Sequence, residues 1–209
     1  MKRHLPLALL TLAAPALARA QAIEVTPLVG FRFGGSVETT GFQDDGQDAR
    51  FEVDDSASFG VHLGYRMGDG EVELLYARQN SRLQTSDLFA GVPVFDMALE
   101  TWQLGGNYYF GEDDARVRPF VGIGLGLTRM LPEPSGLSDE TRFSASFGAG
   151  AKLWLGRHVG LRLEARGFFT VLDSDSASFC GGGGTCGIYV GDSQVISQAD
   201  LRAGVILRF

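Results

Sequence analysis

Residues 194–209 have the sequence QVISQADLRAGVILRF, and this stretch decides the fold. Small or apolar side chains stand at every second position from Val195 to Phe209, and mostly polar side chains alternate with them. This period of two is typical of a β-strand between two different environments, because successive strand side chains point to opposite faces. Residues 141–155 and 158–172 repeat the pattern. The sequence therefore predicts a β-rich protein.

The alternation and the turn residues together predict eight strands. Their ranges are 23–37, 56–67, 71–83, 95–110, 116–131, 141–155, 158–172 and 194–209. Three connections are short, beginning at Gly68, Gly111 and Gly156, and four are longer, at 38–55, 84–94, 132–140 and 173–193. An even number of strands with short turns at one end and long loops at the other is typical of transmembrane β-barrels. We predict an all-β, eight-stranded, antiparallel up-and-down transmembrane barrel, with both termini on the side of the short turns.

Composition excludes several other classes of protein. The chain has 209 residues, 29 of them glycine, and a formal net charge of −7. An acidic chain is unsuited to nucleic acid, whose phosphates require a basic surface. Two cysteines are too few for a four-thiolate zinc site or a disulfide-rich scaffold.

The N-terminus has the pattern of an export signal. Lys2 and Arg3 precede an apolar stretch at 5–17, and Ala18-Arg19-Ala20 forms a small-x-small cleavage site. We predict that residues 1–20 are a cleaved signal peptide and that 21–209 form the barrel domain.

Export implies a prediction for the two cysteines. Cys180 and Cys186 would enter an oxidising compartment, where disulfides persist. The five residues between them are Gly-Gly-Gly-Gly-Thr, and glycine allows the chain to reverse sharply. We predict a disulfide between Cys180 and Cys186.

The polar face of the strands is predicted to line the lumen. Its charges would make a dry apolar core costly, whereas the opposite face suits hydrocarbon. The charged residues predicted in the lumen are Arg32, Arg66, Glu73, Arg118, Lys152, Arg162, Glu164, Arg166, Asp200 and Arg202. Eight strands leave an interior just wide enough for side chains or one small ligand, so we favour a salt-bridge network that plugs the barrel. A selective passage for a small solute is the alternative.

Four segments carry a resemblance to a known group: VTPLVGFRFGG at 25–35, WQLGGNYYF at 102–110, RPFVGIG at 118–124 and LRAGVILRF at 201–209. The chain resembles the small eight-stranded outer-membrane β-barrels of Gram-negative bacteria. It is similar to the membrane domain of outer-membrane protein A and to the outer-membrane protein X and W families. The resemblance implies an outer-membrane location and a closing-strand signal, with Leu207 and Phe209, for the barrel-assembly machinery.

The same resemblance implies partners and a function. The partners are outer-membrane lipid and lipopolysaccharide. The expected function is a structural or surface-interaction role of a monomer, exerted through the long loops. Similarity to the outer-membrane protein W group implies the alternative, a narrow channel for small molecules, hydrophobic ones included.

Candidate catalytic and metal-binding residues are sparse. After residue 20 the chain has two histidines, His62 in mid-strand on the lumen face and His158 beside a short turn. Neither lies in a long loop, where a lipid-modifying enzyme or protease of this class would need its base. The loop at 38–55 is acidic, and a divalent-cation site is the alternative to a simple solvated loop, because calcium binds clustered carboxylates. Its spacing does not match a calcium loop closely enough to name ligands. We therefore predict no enzymatic activity, no cofactor and no metal ligands.

Overall fold

The computed structural model describes residues 23–39, 49–85, 92–133, 137–172, 176–180, 186–190 and 194–209. Within them, side chains are described except at 37–39, 49–51, 83–85, 92–95, 176–180, 186–190 and 194. The predicted signal peptide at 1–20 and the centre of the acidic loop at 40–48 lie outside the described residues.

Twelve strands are formed by the described residues. They are β1 (Ile23–Phe33), β2 (Ser36–Thr39), β3 (Ala49–Val53), β4 (Ser56–Met67), β5 (Gly70–Thr85), β6 (Val92–Tyr109), β7 (Val117–Pro132), β8 (Glu140–Trp154), β9 (Val159–Leu172), β10 (Ser176–Cys180), β11 (Cys186–Val190) and β12 (Gln194–Arg208). No helix in this part of the chain is long and apolar enough to cross a membrane.

Eight long strands close into an antiparallel barrel, which confirms the predicted fold. Their order is β5-β4-β1-β12-β9-β8-β7-β6, and β6 pairs back onto β5. A row of paired residues that starts at Phe33 on β1 and crosses all eight strands returns to β1 at Ile23, ten residues lower; it runs through Phe33, Ala199, Gly167, Phe147, Ile123, Gly106, Val72, Tyr65 and Ile23. This ten-residue stagger means that the strands are tilted against the barrel axis.

Two predicted loops contain strands, which corrects the prediction. β2 and β3 lie within 38–55 and its flank, and β10 and β11 lie within 173–193. The first strand ends at Phe33 and not at 37, because Gly34 and Gly35 take φ values of 80° and 117°, which side chains with a Cβ rarely adopt. β3 pairs with the end of β5, so the backbone groups of this projecting strand are partly satisfied.

The outer face of the barrel is an apolar band with polar borders. Side chains such as Ile123 and Leu163 are exposed there, at 68% and 50%. Tyr76 and Trp102 pack with ring centroids 4.4 Å apart toward the end with the long connections. Beyond this aromatic pair the outward-facing side chains become charged, beginning with Arg78. An apolar outer band with aromatic residues near its edge is typical of a membrane-spanning barrel.

Candidate functional site

A cluster of charges on β9 occupies the centre of the lumen. Arg162, Glu164 and Arg166 all point inward, because alternate strand residues share a face. Glu164 accepts hydrogen bonds from Arg162 Nε at 2.9 Å and from Arg166 Nε at 2.7 Å. Arg166 Nη1 reaches across the lumen to Glu73 Oε1 on β5 at 2.5 Å. All four residues are buried.

The closing strands β1 and β12 add a second group of ion pairs. Arg32 on β1 donates to Asp200 on β12, with Nε and Nη2 3.2 and 3.1 Å from Oδ2. Ser58 Oγ donates to the other oxygen of this carboxylate at 3.0 Å. Arg202 Nη2 lies 3.1 Å from Glu164 Oε1, which joins β12 to the cluster on β9. On the lumen side, ion pairs therefore connect the neighbouring strands at the seam where β1 and β12 close the barrel.

A third group lies nearer the short turns. Lys152 Nζ lies between Glu24 Oε2 at 2.5 Å and Glu71 Oε2 at 2.6 Å. Arg208 Nη2 donates to Glu24 Oε1 at 2.9 Å. The sequence analysis did not select Glu24, Glu71 or Arg208. The signal was present, because these residues share the period-two lumen face of their strands with residues that were selected.

His62 belongs to the charged network. Its Nε2 lies 3.1 Å from Glu71 Oε1 and 3.2 Å from Glu73 Oε2, and the ring is fully buried. Asn107 Nδ2 donates to the same two carboxylates at 3.0 and 2.7 Å. Tyr109 donates its hydroxyl to Glu71 Oε1 at 2.8 Å. The two carboxylates thus lie among donors from several strands.

Two of the predicted residues meet at the end with the short turns, where Arg118 also lies opposite Lys152. Arg118 is 2% exposed, and its Nη1 lies 3.0 Å from Asp113 Oδ1. Arg66 is partly exposed, and its Nη2 contacts the same oxygen of Asp113. The remaining eight predicted charges, from Arg32 to Arg202, are buried inside the barrel.

The lumen toward the long connections has a different content. Thr101 and Thr128 share a hydrogen bond of 3.2 Å, and Gln103 Nε2 donates to Ser144 Oγ at 3.2 Å. Beyond this neutral layer apolar and polar side chains share the inner face. Met97, Leu99, Met130, Leu172 and Ile196 are apolar and buried. Gln79 and Ser81, which lie opposite Leu99 and Met97, are polar and buried. The prediction of a polar lumen therefore holds only in part for this end, where apolar side chains lie among polar ones. Residues 97–99 are apolar in succession, so a period of two could not show which face they line.

The functions predicted for the remaining residues stay predictions. Leu207 and Phe209 lie at the end of the closing strand, 40% and 65% exposed. Cys180 and Cys186 are backbone partners in the β10–β11 ladder, but their side chains lie outside what the structure describes. His158 is exposed at a short turn, with Nδ1 3.1 Å from the carbonyl oxygen of Arg208. Within the described ranges no group of three or more His, Cys, Asp or Glu side chains could hold a metal ion.

Comparison with known proteins gives one family and several solved structures of similar fold. The family profile described as outer membrane protein beta-barrel domain matches residues 5–209. Neisserial surface protein A is 18% identical, with 91% of this chain and 98% of that chain covered and a TM-score of 0.58. OprG from Pseudomonas aeruginosa is 17% identical, with 90% and 97% covered and a TM-score of 0.60. AlkL, determined in DMPC lipid bilayers, is 15% identical, with 100% and 97% covered and a TM-score of 0.56. Among curated proteins none matches.

Proposed function

The chain belongs to the outer-membrane protein β-barrel family and lies in the outer membrane of a Gram-negative bacterium, and from this premise we propose that it is a non-enzymatic barrel with a closed lumen. Its role is structural or interactive, and it is exerted through the surface at the end with the long connections. The observation that carries the proposal is the network of buried ion pairs across the lumen.

The network supports a closed lumen for an energetic reason. Glu164 alone contacts Arg162, Arg166 and Arg202, and all four side chains are buried. A solute that passes must separate such groups, and removing one partner of a buried ion pair costs about 3–5 kcal/mol. Eight strands also enclose little more space than the side chains fill. Passage of ions is therefore slow or absent.

Single-channel recording in planar bilayers tests this proposal. The full chain should give no regular openings at neutral pH. The double variant Glu73→Ala, Arg166→Ala removes one cross-lumen ion pair and should produce openings, because both side chains leave the lumen centre. The matched control Arg78→Ala, Glu100→Ala removes an ion pair on the outer face and should stay silent. Regular openings of the unaltered chain would contradict the closed lumen.

The orientation of the barrel is part of the proposal. Long connections are extracellular and short turns periplasmic in barrels of this kind, so the connection at 133–139 is placed outside and Asp69 inside. A cysteine in place of Asp139 should be labelled in intact cells by a reagent that does not cross the membrane, whereas a cysteine in place of Asp69 should not. The opposite pattern would invert the barrel.

Lipopolysaccharide and outer-membrane lipid are the proposed partners in the membrane. Charged side chains lie just above the aromatic pair on the outer face, where Arg78 pairs with Glu100 and Arg82 with Asp96. Such a charged border suits the phosphates and bound cations of a lipopolysaccharide surface. The barrel is proposed to be a monomer whose Leu207 and Phe209 engage the barrel-assembly machinery during biogenesis.

A second function is supported by the apolar end of the lumen. Met97, Leu99 and Met130 face inward where a polar wall was expected. Such side chains suit a small hydrophobic molecule, because methionine adapts its shape to a ligand. A narrow channel for such molecules predicts that Leu99→Asp reduces hydrophobic uptake into vesicles, while the outward-facing control Leu127→Asp does not. Equal uptake by vesicles with and without the barrel would exclude this function.

A further inference from the structure

The opening of the lumen between the short turns has its own group of charges, which adjoins the ion pairs of Glu24 with Lys152 and Arg208. Arg66 at the end of β4 and Arg118 at the start of β7 both contact Oδ1 of Asp113. Asp113 lies in the connection between β6 and β7, and its side chain is 66% exposed. We call Arg66, Arg118 and Asp113 the mouth cluster. One solvent-exposed carboxylate thus lies between two guanidinium groups.

Arg118 has donors that the described residues do not use. Its side chain is 2% exposed, yet Nε and Nη2 have no hydrogen-bond partner among the described residues. Nη2 lies 4.0 Å from Asp69 Oδ1, beyond hydrogen-bond distance. A guanidinium offers five donors in a fixed plane, and a buried donor without a partner is costly. Arg118 therefore has donors available for a further acceptor.

The mouth cluster adjoins further charges of both signs. A narrow cleft adjoins the cluster, and its lining side chains are Glu24, Arg66, Tyr109, Arg118, Lys152, Trp154 and Arg208. The carboxylate of Glu24 is already held by Lys152 and Arg208. Trp154 Nε1 is buried and has no partner among the described residues. The cleft is too narrow for a water molecule at present, so a ligand requires the exposed side chains at its edge to move.

We propose that Arg66 and Arg118 bind a phosphate group, which replaces the carboxylate of Asp113. A carboxylate neutralises one of the two guanidinium charges, whereas a phosphate dianion neutralises both. Phosphate oxygens also match the fork geometry of arginine and supply acceptors for the unused donors of Arg118. The exposed position of Asp113 lets its side chain swing into solvent when the ligand enters. Asp69, the other nearby carboxylate, is equally exposed and is held only by the 4.0 Å contact.

Isothermal titration calorimetry with the folded full-length barrel tests the proposal. The protein is held in zwitterionic micelles, and sodium phosphate is titrated at constant ionic strength against a chloride blank. The unaltered chain should bind phosphate at one site. Asp113→Asn should tighten binding about two- to fivefold, the range that an exposed ion pair is worth. Asp139→Asn removes a similar exposed carboxylate from Arg129 at the other end and should leave phosphate binding unchanged.

Loss of the cations should have the opposite effect. Arg118→Gln and, separately, Arg66→Gln should each reduce phosphate affinity at least tenfold, and Arg66 is the safer variant for folding because it is partly exposed. Phosphate heat that is absent for both the unaltered chain and Asp113→Asn would overturn the proposal, as would unchanged binding in both arginine variants.

A second titration identifies the source of the phosphate. Short-chain phosphatidic acid in the same micelles should compete with inorganic phosphate if the ligand is a lipid headgroup. Absence of competition, with phosphate still bound, assigns the site to a soluble phosphate. Both results support a phosphate site. The site goes beyond the proposed function, because its failure would leave the closed lumen unaffected and its success would not open the lumen.

Discussion

The two ends of the lumen are enclosed by the same eight strands but are filled by different chemistry. From the centre of the lumen to the short turns, buried ion pairs fill the barrel: Arg162, Glu164 and Arg166 at the centre, and Lys152 with Glu24 below them. Toward the long connections, Leu99 and Met130 face inward from the same barrel wall. The charged end depends on each partner being present, because an unpaired buried charge is costly. The apolar end depends on volume, which several side chains can supply.

The difference between the two ends indicates which end of the barrel can change its conformation. Opening the charged end separates buried ion-pair partners, which is costly, so the conformation of this end is fixed. Opening the other end separates apolar contacts, which are not directional, together with hydrogen bonds such as the one that Ser81 donates to the carbonyl oxygen of Asp54. Entry of a ligand into the lumen itself, and sequence variation of the inner face, are therefore expected at the end with the long connections, while the ion pairs beneath the mouth cluster keep the barrel closed.

The largest effect should follow loss of the shared carboxylate in the charged end. Glu164→Ala leaves Arg162, Arg166 and Arg202 without their common partner. The free energy of unfolding should fall by about 3–5 kcal/mol. Reversible urea unfolding in lipid vesicles measures it. Glu100→Ala, which removes a carboxylate paired on the outer face, should cost at most about 1 kcal/mol. Equal costs would remove the distinction between lumen and surface.

The next effect tests the outer wall at the level of the charged end. Leu163 lies between Arg162 and Glu164 and faces outward, 50% exposed. Leu163→Arg should lower the free energy of unfolding by about 2–4 kcal/mol if it lies near the bilayer midplane. The inward-facing control Ser146→Thr should cost much less. A tolerated arginine at position 163 would mean that this face does not contact hydrocarbon.

A smaller effect is expected at the end with the long connections. If Cys180 and Cys186 are bonded, the closed ring is short, and its contribution in the chain-entropy model is about 2–2.5 kcal/mol. Mild reduction should leave the barrel folded, because the barrel strands do not depend on this ring. Mass spectrometry of alkylated, non-reduced protein from the outer membrane measures the bond. Two free thiols there would contradict the disulfide.

The smallest effect should come from a volume-conserving change in the apolar end. Leu99→Met should cost less than about 1.5 kcal/mol, because the side chain stays apolar and of similar size. The matched change in the charged end is Glu73→Gln, which keeps the shape and removes the charge that Arg166 contacts. Unfolding in vesicles should show the glutamine variant to be the less stable. A larger cost for Leu99→Met would reverse the comparison.

The sequence predicted the barrel strands well and their contacts poorly. The strand predicted at 158–172 is observed at Val159–Leu172, because long alternation marks both a strand and its faces. β2 has four residues, too few for a period to be visible. The contacts of His62 with Glu71 and Glu73 depend on the register between strands, which alternation within each strand does not determine.

The charges in the lumen help to set the register at which the barrel closes with its ten-residue stagger. At the closing seam, Arg32 lies opposite Asp200 and Gly30 lies opposite Arg202. A slip of two residues would keep every apolar side chain on the outer face, so contact with lipid could not detect the error. The slip would, however, place Arg32 opposite Arg202 or Gln198. Like charges directly opposite are destabilising, and Asp200 would lose its partner. The charges in the lumen are therefore expected to favour the observed register at the closing seam, which the hydrophobic pattern alone does not distinguish from a slip of two residues.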